Sequence, residues 1–343
     1  MAAPEIPKKY KAVIYDKPGT LSTKVVELDT PEPGPGEVLI NFWSQLPFPT
    51  PEGQVGGHEG VGTIVKMGPG SEAAAVKVGE RVGIKWLSGI CGSCTCCLAG
   101  MDGQCKNQVG CPLTQTHASA DRGVITHIPP QVPDGLDSAA AAPMLCAGVT
   151  TYSALRKAGA QSGDYVVLLG AGGGLGHIAA QLGSRGMGYR IIGVDSPSKE
   201  DLVRGSGAEH FLPHTLGKDL PGRIKDLTDG LGASAVIVLT AANSAYAQAV
   251  ELLREGGTLV CVGIPEGAAV PIAGAMPQFL VAKALKIVGV AVGDRREAIE
   301  TMDFARRGLV TTHYRTAKMD ELTDVFRDME EGRVQGRVVL DLS

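Results

Sequence analysis

The chain has 343 residues, 44% of them hydrophobic and 20% charged, with a formal net charge of -4 at pH 7. That length fits two domains better than one core, and the mild acidity excludes a chain-wide basic stripe of the kind that grips nucleic acid. The N-terminal stretch MAAPEIPKKYKAVIYD has no apolar signal core and no run of 18 apolar residues occurs, so neither a leader nor a membrane span is expected and the cytoplasm is the expected compartment.

From Lys11 to Phe42 the chain reads as short strands broken by turns: KAVIYD, STKVVELD, a Pro/Gly hinge PEPGPGE, then VLINF. GVGTIVKMG and ERVGIKW continue the pattern, which predicts a small β-rich domain. Between them stands GGHEG, whose His58 and Glu59 are potential metal or acid-base groups; alone, such a pair is as often plain surface.

The eight cysteines are concentrated. Cys91, Cys94, Cys97 and Cys105 follow C-x2-C-x2-C-x7-C, a spacing that brings four thiolates around one tetrahedral zinc in a lobe near 88–108 that lacks a strong core of its own. Exposed free thiols would oxidise, which disfavours four unliganded cysteines. Cys96 is out of register and reads as a bystander, Cys111 is unassigned, and Cys261 reads as strand core.

Asp134 to Ala147, with its alanine run, predicts a helix, and Cys146 lies near its end in LCAG. The next stretch, Tyr165 to Asp195, organises the second half. Val166 to Leu169 form a continuous apolar run that suits a parallel strand buried on both faces. Gly170, Gly172, Gly173, Gly174, Leu175 and Gly176 make a tight turn, and Ile178, Ala179 and Leu182 then fall at helical spacing. The second strand, Arg190 to Val194, ends in Asp195, so the order is that of a dinucleotide-binding βαβ unit. A pyrophosphate can rest on free amides at the turn while Asp195 accepts hydrogen bonds from the ribose hydroxyls; its carboxylate favours NAD over NADP, a preference that Lys199 nearby softens. The glycines fit Gly-x-x-Gly-x-x-Gly better than the commoner pattern, because Leu175 takes a position that pattern gives to glycine.

AVIVLT (Ala235 to Thr240), GTLVCVG (Gly257 to Gly263) and KIVGVAV (Lys286 to Val292) alternate with helical patterns, which predicts a doubly wound parallel sheet. Two final helices and the strand GRVVLDLS then return to the first domain. The expected division is 1–147 with 292–343 for the β-rich domain, and 148–291 for the nucleotide domain.

With GGHEG, KWLSGICGSCTCC, MLCAGVTTYSALR, GAGGGLG and GRVVLDLS in this order, the chain resembles the zinc-containing medium-chain alcohol dehydrogenases, closest to the fungal yeast-type enzymes. The likeness runs from about Pro4 to Asn41, from Trp43 to about Gln108, and from about Ile128 onward. It implies a GroES-like catalytic domain with a Rossmann domain, in the α/β class. It also implies NAD as cofactor, a small alcohol or aldehyde as substrate, and a homo-oligomer, dimer or tetramer, with no nucleic acid or membrane partner. The structural zinc ligands carry over to Cys91, Cys94, Cys97 and Cys105. His58 and Cys146 match two of three catalytic zinc ligands, and Glu59 matches the acid beside the metal. Trp43 and Trp86 match tryptophans that narrow the substrate pocket. Thr150 matches the residue packing on the nicotinamide and Arg337 one contacting the pyrophosphate, and Val262 and Ile264 join the cofactor-binding set.

Two places depart from the family. After VLIN the family has a Gly-x-Cys-His-Ser/Thr-Asp loop, whose cysteine is the first catalytic zinc ligand and whose hydroxyl residue relays the alcohol proton. Here Asn41 runs directly into Phe42, Trp43, Ser44 and Gln45, and no cysteine or histidine lies between Val38 and Gly57. Val109 to His127 is the second departure, standing where the family has a Tyr-rich strand. The sharp edges of both breaks (42–54 and 109–127) point to a splicing or gene-calling artefact, with a diverged paralogue as the alternative. The expectation is therefore an NAD-dependent, zinc-type alcohol dehydrogenase impaired by the loss of one ligand. Two other readings stand beside it: a zinc-independent NAD(P)H reductase of the same superfamily, and a non-catalytic NAD-binding oligomerisation subunit.

Overall fold

The computed structural model describes residues 6–17, 19–33, 38–41, 52–53, 58–71, 74–107, 109–110, 124–125, 131–265 and 269–342. It divides into two compact units, Met1–Cys146 with Asp294–Arg306 and Tyr314–Ser343, and Ala147–Gly293 with Arg307–His313.

The first unit opens with strands β1 (Lys9–Tyr15) and β2 (Thr23–Asp29), paired antiparallel in full register from Lys9 opposite Asp29 to Tyr15 opposite Thr23. The following strands are β3 (Val38–Asn41), β4 (Gly60–Met67), β5 (Arg81–Ile84), β6 (Leu87–Gly89), β7 (Val109–Gly110) and β8 (Val124–Ile125). An antiparallel sheet runs β5-β4-β3-β8, and β6 pairs with β7. The lobe between β6 and β7 carries only α1 (Thr95–Leu98), one turn of helix without a buried residue, followed by a 3-10 turn at Asp102–Gln104.

The predicted helix over 134–147 is shorter and broken. Helix α2 (Ser138–Ala141) is capped by Asp137, whose carboxylate accepts the N–H of Ala140 at 2.9 Å. Pro143 has no N–H to continue the ladder, and the chain tightens into a buried 3-10 turn, Ala142–Leu145, that delivers Cys146.

The second unit begins at helix α3 (Ala147–Lys157), whose residues 147–155 are all buried. Strands and helices then alternate: β9 (Tyr165–Leu169), α4 (Gly176–Gln181), β10 (Arg190–Asp195), α5 (Glu200–Gly205), β11 (His210–Pro213) and α6 (Leu220–Leu227). They continue as β12 (Ala233–Val238), α7 (Asn243–Ala249), β13 (Leu253–Cys261), α8 (Pro277–Ala282) and β14 (Lys286–Gly289). All six strands are parallel, in the order β11-β10-β9-β12-β13-β14. That order reverses direction at β9, as in dinucleotide-binding doubly wound sheets, and ligands bind outside the carboxyl ends of the strands at such a switch point. Every residue of β12 is buried, which accounts for its run of apolar residues without alternation.

Helix α9 (Arg295–Arg306) returns to the first unit, followed by β15 (Tyr314–Lys318), α10 (Leu322–Glu330) and β16 (Arg337–Asp341), with β15 and β16 parallel. Val13 and Tyr15 of β1 bury themselves against Ala317, Leu322, Val325, Phe326 and Leu340, so the chain's last elements close over its first strand. Tyr15 stacks on Phe326 at 5.9 Å between ring centroids. Arg307–His313 belongs to the second unit although the sequence places 292–343 in one domain; its backbone is held by side chains of α4 and the turn that follows it.

Because Asp137 caps the segment that carries Cys146 and also accepts the Tyr314 hydroxyl at 2.9 Å, Asp137→Ala is expected to destabilise the protein by about 1 kcal/mol, the usual cost of a lost cap. The Ala140 N–H holds the Asp137 carboxyl below the usual carboxylate range, with Tyr314 adding to it. A depressed folded value means that this stability is present above the ordinary carboxylate pKa and is lost as pH falls through the folded one. Urea unfolding of both proteins should show the gap at pH 7 and its closure on the acid side.

Candidate functional site

The glycine turn forms as its sequence requires. Gly170 sits at φ +92°, a conformation costly for any side chain, and a Cβ on Gly176 would lie 2.1 Å from the Gly170 carbonyl oxygen, so α4 can start this close to β9 only on glycine. Asp195, at the end of β10, locks the turn: one carboxylate oxygen accepts the Gly172 N–H at 2.7 Å and the other the Ser196 N–H at 2.7 Å. A carboxylate has about four acceptor positions, so both oxygens retain capacity for ribose hydroxyls. Lys199 Nζ is 3.9 Å from Asp195, and the side chain's stem covers Gly172. Leu175 precedes α4, and its carbonyl takes the Ala179 N–H at 2.9 Å. Val262 follows β13 with its N–H on the Val238 carbonyl at 3.2 Å, Ile264 is exposed, and Thr150 is buried in α3.

The lobe gathers its four cysteines. Sγ of Cys94 lies 3.6 Å from that of Cys97, and Sγ of Cys105 lies 3.6 Å from that of Cys91, with all four within 4.8 Å of one another. Four thiolates on one zinc with bonds of about 2.3 Å would stand about 3.8 Å apart. The Cys91 thiol is lowered to about 5, chiefly by the Ser93 N–H and then that of Cys94. Cys97 is pushed up to about 12 by its burial and by the thiols of Cys105 and Cys94. Backbone N–H groups favour the first thiolate while crowding opposes the next, a conflict that a cation at the centre relieves, so the donor set and its spacing fit zinc.

The second group lies at the start of β4. His58 Nε2 is 2.9 Å from Cys146 Sγ, and with Glu59 the three ligand atoms fall within 4.8 Å of one another. The rings of Trp86 and His58 meet in a T-shaped contact, 5.1 Å between centroids and 89° between planes. Burial lowers the His58 pKa, with Glu59 opposing and Arg337 adding to the shift, so the imidazole is held in the neutral form that can ligate a metal. Its Nδ1 is buried with no hydrogen-bond partner among the described residues. Nitrogen and sulfur are a zinc donor pair, but Glu59 is engaged: the Arg337 guanidinium bonds both of its carboxylate oxygens. Arg337, expected on a pyrophosphate, thus ties the first residue of β16 to the residue beside His58. Trp43 and Cys111 lie outside the described residues, as do the two departing stretches except 52–53, 109–110 and 124–125.

Sequence reasoning missed a network beneath these groups. Asp102, in the lobe and 4% exposed, accepts from Arg295 Nε at 3.1 Å and from the Arg295 N–H at 3.4 Å, which docks the lobe on the first residue of α9. Lys85, 7% exposed, lies in the field of Asp102, Asp294 and Glu297. No periodicity marks these residues. The available signals were an acid inside the cysteine loop and a lysine inside an apolar strand end.

Comparison with known proteins gives two family matches: an alcohol dehydrogenase GroES-like domain over residues 34–130 and a zinc-binding dehydrogenase domain over residues 174–307. The chain is 54% identical to alcohol dehydrogenase 2 of Emericella nidulans across 100% of both chains, and 36% identical to an alcohol dehydrogenase of Schizosaccharomyces pombe across 98% of each. The first alignment spans 368 positions against the 343 residues of this chain, so at least 25 of them have no residue here. A solved NAD-dependent alcohol dehydrogenase superposes with a TM-score of 0.83 at 25% identity, over 97% of this chain and 100% of that one.

The lobe geometry predicts about one tightly held zinc per chain in reducing, chelator-free preparations, as for a closed tetrathiolate site. Cys105→Ser should lose it and lower Tm. Elemental analysis that finds no zinc in the unmodified protein would rule the lobe out as a metal site.

Proposed function

Since the chain belongs to the zinc-containing medium-chain alcohol dehydrogenases, we propose that it exchanges hydride between a small alcohol or aldehyde and NAD(H), and that as written it does so poorly. The observation that carries the reading is the meeting of His58 and Cys146, 88 residues apart, at 2.9 Å beside the Glu59–Arg337 pair.

Each group has a distinct task. His58 and Cys146 would hold the catalytic zinc, and Cys91, Cys94, Cys97 and Cys105 the structural one. A zinc at the first place supplies Lewis acidity that polarises the alcohol oxygen, and NAD supplies the hydride acceptor. Trp86 walls the pocket and orients the imidazole through their T-shaped contact. Arg337 keeps Glu59 in place by bonding both of its carboxylate oxygens. The glycines between Gly170 and Gly176 cradle the pyrophosphate, while Asp195 takes the ribose hydroxyls, Thr150 packs on the nicotinamide, and Val262 and Ile264 line the cofactor's path. Homo-oligomerisation and a cytoplasmic location belong to the same reading; no helix among the described residues is long and apolar enough to cross a membrane.

The impairment follows from counting donors. A catalytic zinc takes three protein ligands and leaves one position for substrate, and a missing thiolate weakens it severely. The sequence between Val38 and Gly57 offers neither cysteine nor histidine, nor the family's relay hydroxyl in its loop. An alignment 25 positions longer than the chain is what a lost block would produce. His58 and Cys146 speak against the zinc-independent reductase, which has no use for them.

Two outcomes are expected. NADH should bind more tightly than NADPH, because Asp195 repels a 2′-phosphate, and Asp195→Asn should narrow the ratio; tighter NADPH binding by the unmodified chain would show that Asp195 is misassigned. In steady-state assays at matched zinc, the chain as written should reduce NAD with ethanol feebly. A version with a family-length loop between Asn41 and Trp43, carrying the cysteine and the relay hydroxyl, should turn over at least about a hundredfold faster, the upper range for a lost metal-site contact. Robust zinc-dependent turnover by the unmodified chain would overturn the impairment.

A further inference from the structure

Within the second unit, the segment from Leu309 to His313 lies along one face of the helix that leaves the glycine turn. Three side chains spaced four residues apart hold it by its backbone. His177 Nε2 accepts the His313 N–H at 3.0 Å. Gln181 engages Thr311 twice, its Oε1 accepting the N–H at 2.9 Å and its Nε2 donating to the carbonyl at 2.9 Å. Arg185 Nη1 donates to the Leu309 carbonyl at 3.5 Å. Four residues of helix rise about 6 Å and two residues of extended chain about 6.7 Å, so contacts at 313 and 311 stay in step with side chains at 177 and 181, and Arg185, in the wider turn that follows, reaches 309.

The first rung differs from the other two because it reaches the glycine turn. With Nε2 committed to accepting a proton, the imidazole proton sits on Nδ1, and Nδ1 donates to the Gly173 carbonyl at 2.9 Å. The same carbonyl accepts the His177 N–H at 3.2 Å, and His177 is fully buried. The peptide between Gly173 and Gly174 has glycine on both sides, so little in its own backbone stops it from flipping. A trans peptide points its C=O and N–H in opposite directions. Holding the Gly173 oxygen toward His177 therefore turns the Gly174 N–H the other way, and a flipped peptide would instead present a carbonyl oxygen where an anion is to sit.

We propose that His177 is a positioning residue for the pyrophosphate of the dinucleotide: it fixes the Gly173–Gly174 peptide in its anion-accepting orientation, with its tautomer set from outside the turn by the His313 N–H. The inference rests on the NAD reading above.

Binding of NADH, ADP-ribose and adenosine to the full chain, measured by calorimetry for the unmodified protein and for His177→Asn, His177→Gln and His177→Ala, tests it. Asparagine keeps an amide N–H near the Nδ1 position and nothing at Nε2, whereas glutamine reaches toward His313 but not Gly173. His177→Gln and His177→Ala should weaken NADH and ADP-ribose by about tenfold, the factor for one lost hydrogen bond, and leave adenosine unchanged. His177→Asn should recover most of that loss. A purely structural histidine would lower Tm in all three variants and shift the three ligands alike. ADP-ribose affinities that match in all four proteins overturn the proposal, as does a parallel loss for adenosine or a glutamine variant that outperforms asparagine. Should His177→Ala fail to fold, the asparagine and glutamine pair decides. If the unmodified chain binds neither NADH nor ADP-ribose, the dinucleotide reading falls and this inference with it; binding that is indifferent to the substitutions sinks the inference alone.

Discussion

The first unit encloses a lysine at the exit of β5, among acids from two distant segments. Lys85 is almost fully enclosed, and an enclosed ammonium is costly unless acids surround it. Burial lowers its pKa while Asp102, Asp294 and Glu297 oppose that shift and Arg295 adds to it. The acids come from two segments far apart in the chain, the lobe and the start of α9, so satisfying Lys85 draws both onto the end of β5. The next residue is Trp86, which packs against the lobe's small core of Ile90 and Cys105 and meets His58 in a T-shaped ring contact. The two groups of potential metal ligands thus share a wall, Trp86, which stands next to Lys85 in the chain.

What the sequence made legible was local. The βαβ unit could be read because its strand, turn, helix and acid lie within about thirty residues and each obeys a backbone rule; the bond from the Gly172 N–H to Asp195 was not part of that reading. The cysteine lobe was legible for the same reason, since spacing alone brings four sulfurs together. Contacts across long separations left no pattern. Arg337 and Glu59 are 278 residues apart and Arg295 and Asp102 are 193 apart. Pro143 was visible, but the alanine run around it favoured a longer helix than the one that forms. The ladder at His177, Gln181 and Arg185 escaped because it recognises backbone, which carries no sequence signature.

The Glu59–Arg337 pair bears on how far the metal group can compensate for a missing thiolate. On the sequence alone, Glu59 is available to move in as a third ligand. In the structure both of its oxygens are held by Arg337, whose side chain is only 23% exposed. Moving Glu59 fully off Arg337 would strand that guanidinium with most of its hydration already lost, and separating a largely enclosed pair by removing one partner is strongly unfavourable, so Glu59 could approach a metal only through the acceptor positions that Arg337 leaves open. The charge count points the same way. One thiolate and one neutral imidazole leave a bound Zn2+ with a net positive charge, whereas a second thiolate would neutralise it. A carboxylate could supply that charge only by transferring the deficit to Arg337. Among the described residues, then, His58 and Cys146 are the two donors of this group that no ion pair already holds.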